Sequence, residues 1–484
     1  MMGSKKNKII ILIITMILIS STSFATPLEF AGGVQSEHLY EEMSFLTGHP
    51  VKFAGTYNVS EKIKDNEETI TYKFKLTTEA GDKLDRTVTY VTDLSAHQGT
   101  GQTIGQTQVT KYKETIKMGN NDVYNLIDYQ FSKSDIIDER AASDFYAGNI
   151  KARKYYEYNK NEGNIVVDIT GGNVGYENFW GSTETQILDH TITATIKGNG
   201  EETNKSWQGS YTNQVSDSLT KSLRYSENDA SFSSFHGGYI KMTNNSIVSK
   251  YDYSFPDKAG TLSLNQEMMP KLERLIVPKF RDVNGHWAED NIKKLYSLDV
   301  FEDNSEVFSP DTPMNRISFA KAIIRASDIR TSMEEKKPTR RKRNAPVEQS
   351  YFTDIKISDP DYSYVRAAVD KNIMVGISKD LFGPKRSLTK AEAITILVRA
   401  LGFENRAPNP GYMTSFADDS KIPSWARDSI YVAKELNLVS GDSSNKVNPN
   451  NPLTRAEAST LIIRFLEFLE KDLQKDYRED IIRF

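Results

Sequence analysis

A chain of 484 residues is longer than one hydrophobic core sustains, so two or more domains are expected. Its net charge of −4, with 26% charged residues, argues against the broad basic field of a nucleic-acid binder. There is no cysteine, which excludes disulfides, thiolate metal sites and thiol catalysis together.

At the N-terminus Lys5, Lys6 and Lys8 precede an apolar run from Ile9 to Ile14, resumed after Thr15 through Ile19. Ser23-Phe24-Ala25 then sets small residues at the two positions a signal peptidase reads, so 1–25 is predicted to be a signal peptide. An uncut anchor is the competing reading, but the run is short for a span of about 20 residues. No membrane contact is expected after cleavage.

Residues 26–275 read as a β-rich, largely antiparallel ectodomain. A short amphipathic stretch (Leu39, Tyr40, Met43, Leu46) comes first. Ile70, Tyr72, Phe74 and Leu76 then alternate with polar residues, Ala80-Gly81-Asp82 turns the chain, and Val88 and Tyr90 alternate again, which is a hairpin pattern. Ile192, Ala194 and Ile196 repeat it before Gly198-Asn199-Gly200, as do Ile247, Tyr251 and Tyr253 after a turn expected at Asn244-Asn245. A helical interruption is expected over Asp135 to Tyr146, and long polar loops between Gly198 and Ser234, where Ser, Asn, Gly and Thr accumulate.

Five of the six histidines (His38, His49, His97, His190, His236) fall in this half without metal-ligand spacing. Gly-x-Ser-x-Gly, His-Glu-x-x-His and phosphate-loop patterns are missing, so no metal or cofactor is predicted and no catalytic residue stands out. Acidic residues abound, which leaves a glycosidase pair open. Carboxylates or a His gathered in a concave site would favour a hydrolase; extended sheet without such convergence would favour a structural or adhesive module.

From about Phe280 the period becomes helical and the chain repeats itself. Phe280-Arg281-Asp282, Phe352-Thr353-Asp354 and Phe416-Ala417-Asp418 open three units. An aromatic residue follows at a helix start in each: Trp287, Tyr364 and Trp425. Next comes Phe308-Ser309-Pro310, Phe382-Gly383-Pro384 or Val447-Asn448-Pro449, and then a second helix beginning at Asn315-Arg316, Thr389-Lys390-Ala391-Glu392 or Thr454-Arg455-Ala456-Glu457. The units are placed at 276–330, 351–405 and 412–469, with a charged tail over 470–484. Between the first two lies 331–350, whose Lys336 to Arg343 stretch holds six basic residues in eight. It reads as a solvated linker, with a contact for anionic wall polymer or a protease-sensitive spot as the alternative.

Thr-x-x-Glu at a helix start is a capping box, in which the Thr hydroxyl accepts from the N3 amide and Glu reaches back to the cap amide. Thr389 with Glu392 and Thr454 with Glu457 fit, whereas Asn315 can cap its helix without the Glu. Arg316, Lys390 and Arg455 fall at the first helical position, where the helix dipole disfavours a cation by roughly 0.3–1 kcal/mol. Either an anion binds beside free amides there, or a salt bridge to Asp282, Asp354 or Asp418 holds the cation. The aromatics are open in the same way, between core packing and a flat face for a pyranose.

The combined pattern resembles the S-layer homology (SLH) repeat, most closely at His286-Trp287-Ala288, Ser424-Trp425-Ala426 and Leu453-Thr454-Arg455-Ala456-Glu457. The resemblance implies a multidomain chain whose C-terminal part is an all-α, pseudo-threefold SLH repeat trimer. It implies non-covalent anchoring of a secreted surface protein on secondary cell-wall polysaccharide, which often ends in a pyruvylated amino sugar, and leaves room for self-assembly at the surface. By motif position Arg316, Lys390 and Arg455 would face the pyruvyl carboxylate, Asp282, Asp354 and Asp418 would hold sugar hydroxyls, and Trp287 and Trp425 would pack on the ring. The first unit lacks the Thr and Glu of the signature, and the second has Lys for Arg. A site using Asp418 and Arg455 with a neighbouring unit is therefore expected to be the best formed. SLH repeats also anchor enzymes, so a wall-anchored hydrolase of polysaccharide or peptide is the second reading.

Overall fold

The computed structural model describes residues 30–472 except 38, 65, 98–101, 120, 198–204, 227–237, 303–305, 328–348 and 410. The predicted signal peptide, the Gly198-Asn199-Gly200 turn, and nearly all of the basic linker and C-terminal tail lie outside the described residues.

The N-terminal half is one antiparallel meander. Its strands are β1 (Val34–Gln35), β2 (Tyr40–Ser44), β3 (Val51–Lys64), β4 (Glu67–Thr77), β5 (Lys83–His97), β6 (Gln102–Lys117) and β7 (Val123–Glu139). They continue as β8 (Ser143–Tyr158), β9 (Gly163–Asn178), β10 (Gly181–Ile196), β11 (Lys205–Ser226), β12 (Gly238–Phe255), β13 (Lys258–Glu267) and β14 (Lys271–Leu275). Each strand from β1 to β13 pairs with its chain neighbours, and β14 returns to β12. Alternation produces two chemically distinct faces. In β10, Glu184, Gln186, Leu188, His190, Ile192 and Ala194 are buried, while Asp189, Thr191, Thr193 and Thr195 between them are exposed. The sheet curls until its ends meet in barrel-like fashion: Ser249 Oγ and Tyr251 Oη on β12 donate to the carbonyl of Gly32, just before β1.

Three expectations are corrected. Asp135 to Tyr146 is the β7–β8 hairpin rather than a helix; Ile136 pairs with Ala147 and Ile137 with Tyr146. Lys205–Ser226, expected among polar loops, is a 22-residue strand, because its small polar residues face outward between Tyr211, Asn213, Val215 and Asp217. Asn244-Asn245 lies inside β12, at the point where pairing passes from β14 (ending at Thr243) to β13 (beginning at Ser246). The Ala80-Gly81-Asp82 turn is present between β4 and β5, with Gly81 at φ +92°.

Aromatic rings from Tyr40, Phe45, Phe53, Phe74, Tyr90 and Tyr251 fill much of the interior. A buried ion network crosses it. Arg86 on β5 donates to both oxygens of Glu42 on β2 (2.8 Å each) and to Glu114 on β6 (2.6 Å), which also accepts from Tyr156 on β8 at 2.9 Å. Burial alone would neutralise Glu114, but Arg86, Lys154 and these hydrogen bonds bring its pKa down to about 2. His190 is buried, stacks on Tyr211 at 4.1 Å, and is kept neutral by desolvation, with its pKa down at about 3.

The C-terminal half is helical, with two α-helices per unit among the described residues. They are α1 (Glu289–Ser297) and α2 (Arg316–Ala326), α3 (Tyr362–Asp370) and α4 (Lys390–Leu401), α5 (Arg427–Glu435) and α6 (Arg455–Glu467). Both predicted capping boxes form at α4 and α6, and the Asn315 side chain accepts from Ser318 N at 2.8 Å to cap α2. Each second helix packs on the first helix of the next unit: α2 on α3, α4 on α5, and α6 back on α1. The segments leading into the second helices close a cycle of backbone bonds. Leu388 N donates to Met314 O (2.9 Å), Leu453 N to Leu388 O (2.8 Å), and Met314 N to Leu453 O (2.8 Å).

The sheet is docked on this helical part. Ala142 N, in the β7–β8 turn, donates to Ala400 O at 2.9 Å, and Asn178 Nδ2 donates to Leu469 O at 3.1 Å. Trp180, in the β9–β10 turn, is buried in the helical core. Arg140 lies between the rings of Phe145 and Phe403 and covers Gly402, which ends α4 at φ +70°. A Cβ on Gly402 would stand 2.7 Å from Arg140 Cδ.

Candidate functional site

Asp282, Asp354 and Asp418 occupy equivalent places. Asp282 accepts from the amides of Phe308 (2.8 Å) and Ser309 (2.6 Å), Asp354 from Phe382 (2.8 Å) and Gly383 (2.7 Å), and Asp418 from Val447 (2.9 Å) and Asn448 (2.8 Å). Both oxygens of each carboxylate are thus engaged by the loop that precedes the second helix. Burial opposes ionisation of Asp282, yet the two amides and the Arg455 cation hold its pKa below the ordinary value. By motif position these aspartates are expected to hold sugar hydroxyls; in the structure they shape the loops.

The basic residues also differ from expectation. The helix N-terminal amides beside them are already occupied by carbonyls of the next unit's loop. Arg316 N and Ile317 N donate to Arg386 O (2.9 Å) and Pro384 O (3.1 Å). Lys390 N and Ala391 N donate to Asn451 O and Pro449 O (3.0 Å each), and Arg455 N and Ala456 N to Thr312 O and Pro310 O (2.9 Å each). These carbonyl dipoles offset the positive helix end and supply partners for a cation.

How the cation is used depends on the residue it meets. Arg316 is buried, donates to Phe382 O (3.0 Å) and Val375 O (2.8 Å), and lies 5.1 Å from the Phe382 ring centroid. Arg455 stacks on Phe308 at 4.4 Å. Both therefore lie in the seam to the next unit. At the second unit's seam Lys390 and Val447, a smaller side chain without a π face, both line a cleft of about 230 Å³. In this cleft Lys390 Nζ is 2.7 Å from Glu457, and its side chain keeps 23% exposure.

Trp287 from the first unit forms one wall of the cleft and is 64% exposed. Arg464, Lys446 and Asn448 line it as well. Arg464 donates to Ser440 Oγ at 3.2 Å. Trp425 is 56% exposed, so neither tryptophan is core packing. Tyr364 is engaged instead: its hydroxyl accepts from Arg325 Nη2 at 2.8 Å, and Lys321 and Arg325 lie over its ring. Asp418 and Arg455, expected to share a site with a neighbouring unit, each engage a different loop. Asp418 clamps the loop facing Lys390, and Arg455 crosses to the Asp282 loop.

Residues 279–320, 351–394 and 415–459 match the family model described as the S-layer homology domain. The chain carries three SLH domains. One relative is the "Surface-layer 125 kDa protein" of Lysinibacillus sphaericus, 32% identical over 192 residues, covering 39% of this chain and 15% of that protein. Another is the "Amylopullulanase" of Thermoanaerobacterium thermosulfurigenes, 28% identical over 213 residues, covering 43% of this chain and 11% of the enzyme. A third is the "Cellulosome-anchoring protein" of Acetivibrio thermocellus, 33% identical over 96 residues, 20% of this chain and 21% of that protein. The matches thus cover between 11% and 21% of these relatives' own length.

Within the SLH domains, Arg464, Lys446, Asn448 and Glu457 were not singled out as site residues beforehand. A signal existed for part of this set. Glu457, Thr460 and Arg464 stand at i, i+3 and i+7, which puts them on one helix face. Glu457 was read only as a capping residue, and it does both jobs: it closes the box with Thr454 and pairs with Lys390.

Proposed function

We propose that the three SLH domains form a pseudo-threefold unit that anchors this chain non-covalently at a bacterial cell surface. The ligand on this reading is secondary cell-wall polysaccharide bearing an acidic, pyruvylated sugar. The observation that carries it is the cleft of Lys390, Lys446 and Arg464 beside the exposed ring of Trp287. Cations at the rim suit an anionic group, and the indole face suits a pyranose. Lys390 is the anion contact in this reading, Trp287 the stacking surface, and Trp425 a second exposed ring for an extended polymer. Arg316, Arg455 and the three aspartates hold the seams and loops in shape. The cyclic packing of second helices on following first helices supports the pseudo-threefold arrangement.

On the same reading 1–25 is a signal peptide, 26–275 the exported β-rich part, 331–350 a basic linker and 470–484 a charged tail. The relatives' names, one a surface-layer protein and another a cellulosome-anchoring protein, are in keeping with it. The test is co-sedimentation of the full chain with purified sacculi. Binding is expected with sacculi that carry their polysaccharide and not with sacculi stripped of it. Equal pelleting with both would overturn the polysaccharide assignment.

A further inference from the structure

The seam that closes the sheet is held near β1, by the Gly32 contacts and by Glu37, which accepts from Met269 N at 2.7 Å. Past that point two strand edges have a ladder on one side alone among the described residues. β2 pairs with β3 only over residues 51–55, so residues 56–64 are laddered to β4 and to no strand on their other side. β14 pairs with β12 over residues 271–275 and has no strand beyond it.

Such edges are usually covered, twisted away or kept short, because a row of backbone donors and acceptors is a template for another strand. These two carry exposed apolar side chains instead. From residue 58 to 64 every side chain of β3 is exposed, with Val59 at 39% and Ile63 at 60%. Leu272 on β14 is 66% exposed, and Ile276 just past its end 80%. Pro270 and Pro278, which have no N–H to donate, bound the second edge.

The two edges match each other. Laid antiparallel with Val59 opposite Ile276, they set Glu61 opposite Arg274, Lys62 opposite Glu273 and Ile63 opposite Leu272. Alternation collects Val59–Ile276, Glu61–Arg274 and Ile63–Leu272 on one face. Two apolar and two opposite-charge pairs thus fall in a single register, with Lys64 opposite Lys271 at its end. Glu273 already meets Lys241 at 2.5 Å, but its side chain keeps 60% exposure and can take a second cation. An edge paired with its own copy about a two-fold fits worse. Centred on Glu61, Lys62, Glu273 or Arg274, it sets that charge against itself.

One molecule cannot make this pairing alone. Every ladder from β3 through β12 to β14 is antiparallel, and their number is even, so β3 and β14 run in the same direction. An antiparallel ladder between them needs a second chain.

We propose that the β3 edge of one copy of this protein adds to the β14 edge of another, antiparallel, with Val59 opposite Ile276. Main-chain hydrogen bonds hold the ladder and the side-chain pairs fix its register. The contact is heterologous, so each added copy still offers one edge of each kind and association continues head to tail.

The test is sedimentation velocity of the full chain without sacculi, so it reports independently of anchoring. Average mass should rise over roughly 10 µM to 1 mM, the range for a small interface. Glu61→Arg and Arg274→Glu should each weaken association about fivefold or more, since an attractive pair becomes a repulsive one, and the two together should restore it. Register is read by disulfide trapping, for which a cysteine-free chain is suited. Antiparallel partners stand about 4.5–5.5 Å apart at Cα, within disulfide reach. A mixture of Ile63→Cys and Leu272→Cys chains should give a covalent dimer on oxidation. Ile63→Cys with Ile276→Cys, the pair a parallel ladder would join, should give much less. Constant mass up to about 1 mM, a double charge reversal that does not restore association, or equal yields from the two mixtures would overturn the proposal. So would a chain carrying both Ile63→Cys and Ile276→Cys that closes a disulfide within itself, since the sheet would then be completing its own seam.

Discussion

The seams between the SLH domains differ in one pair of side chains. Where Arg meets Phe, the guanidinium stacks on the ring (Arg316 on Phe382, Arg455 on Phe308). The remaining seam has Lys390 and Val447 in their place. The same backbone frame, with an aspartate clamping a loop and carbonyls capping a helix, recurs in all three places, and at the third Lys390 and Val447 line a cleft.

The largest expected effect lies in an Arg–Phe seam. Phe382 is fully buried, so Phe382→Ala should destabilise the helical part by about 3–5 kcal/mol in chemical denaturation. Arg316→Ala should cost about 2–3 kcal/mol, because it leaves the carbonyls of Phe382 and Val375 without their charged donor. The Lys390 seam should respond differently. Lys390→Ala should change stability by less than about 1 kcal/mol, since the Lys390–Glu457 pair is partly solvated, but should reduce sedimentation with sacculi. Val447→Phe sharpens the contrast further: it should close the cleft and abolish sedimentation with little change in melting temperature. If Val447→Phe binds sacculi as the parent chain does, this cleft is not the anchoring surface.

The sheet and the helices should also separate by pH. Glu184 and Asp217 are pushed up to about 7 when folded, above their ordinary range near 4, so these two groups hold more protons folded than unfolded between these values, while buried His190, down at about 3, opposes them. Stability from this source is fully present below about pH 4 and is lost as pH rises through about 7. Asp144, raised to about 6 mainly by burial, adds in the same direction. Asp282 has the opposite sign: its pKa is depressed, so its contribution is present above the ordinary carboxylate range and is lost as pH falls through the depressed value. Melting curves of Glu184→Gln and Asp217→Asn against pH should be flatter than the parent's over about pH 4–7.

Much of this was legible in the chain itself. Period-two alternation located the hairpin around Gly81, and the capping boxes at Thr389 and Thr454 fixed two helix starts, since both signals are local. The β7–β8 hairpin was mistaken for a helix because its polar residues carry weak strand propensity and are held by ladder partners distant in sequence. Lys205–Ser226 was missed for the same reason. In the SLH domains the motif residues were found, but their roles depend on what the next unit presents. Val447 in place of Phe was visible in the sequence, and only the seam geometry gives it meaning.

The cyclic hydrogen bonds of Met314, Leu388 and Leu453 have a consequence for assembly. Each contact is heterologous: a donor surface on one unit meets a different acceptor surface on the next, and the ring ends only because the third unit returns to the first. A chain deprived of one unit would carry an unmatched surface at each end, complementary to one another and barred from closing at the original angle. Such chains are expected to join head to tail in open polymers, visible by light scattering as growth with concentration. Covalent linkage of three units in one polypeptide is what lets a head-to-tail interface close on itself.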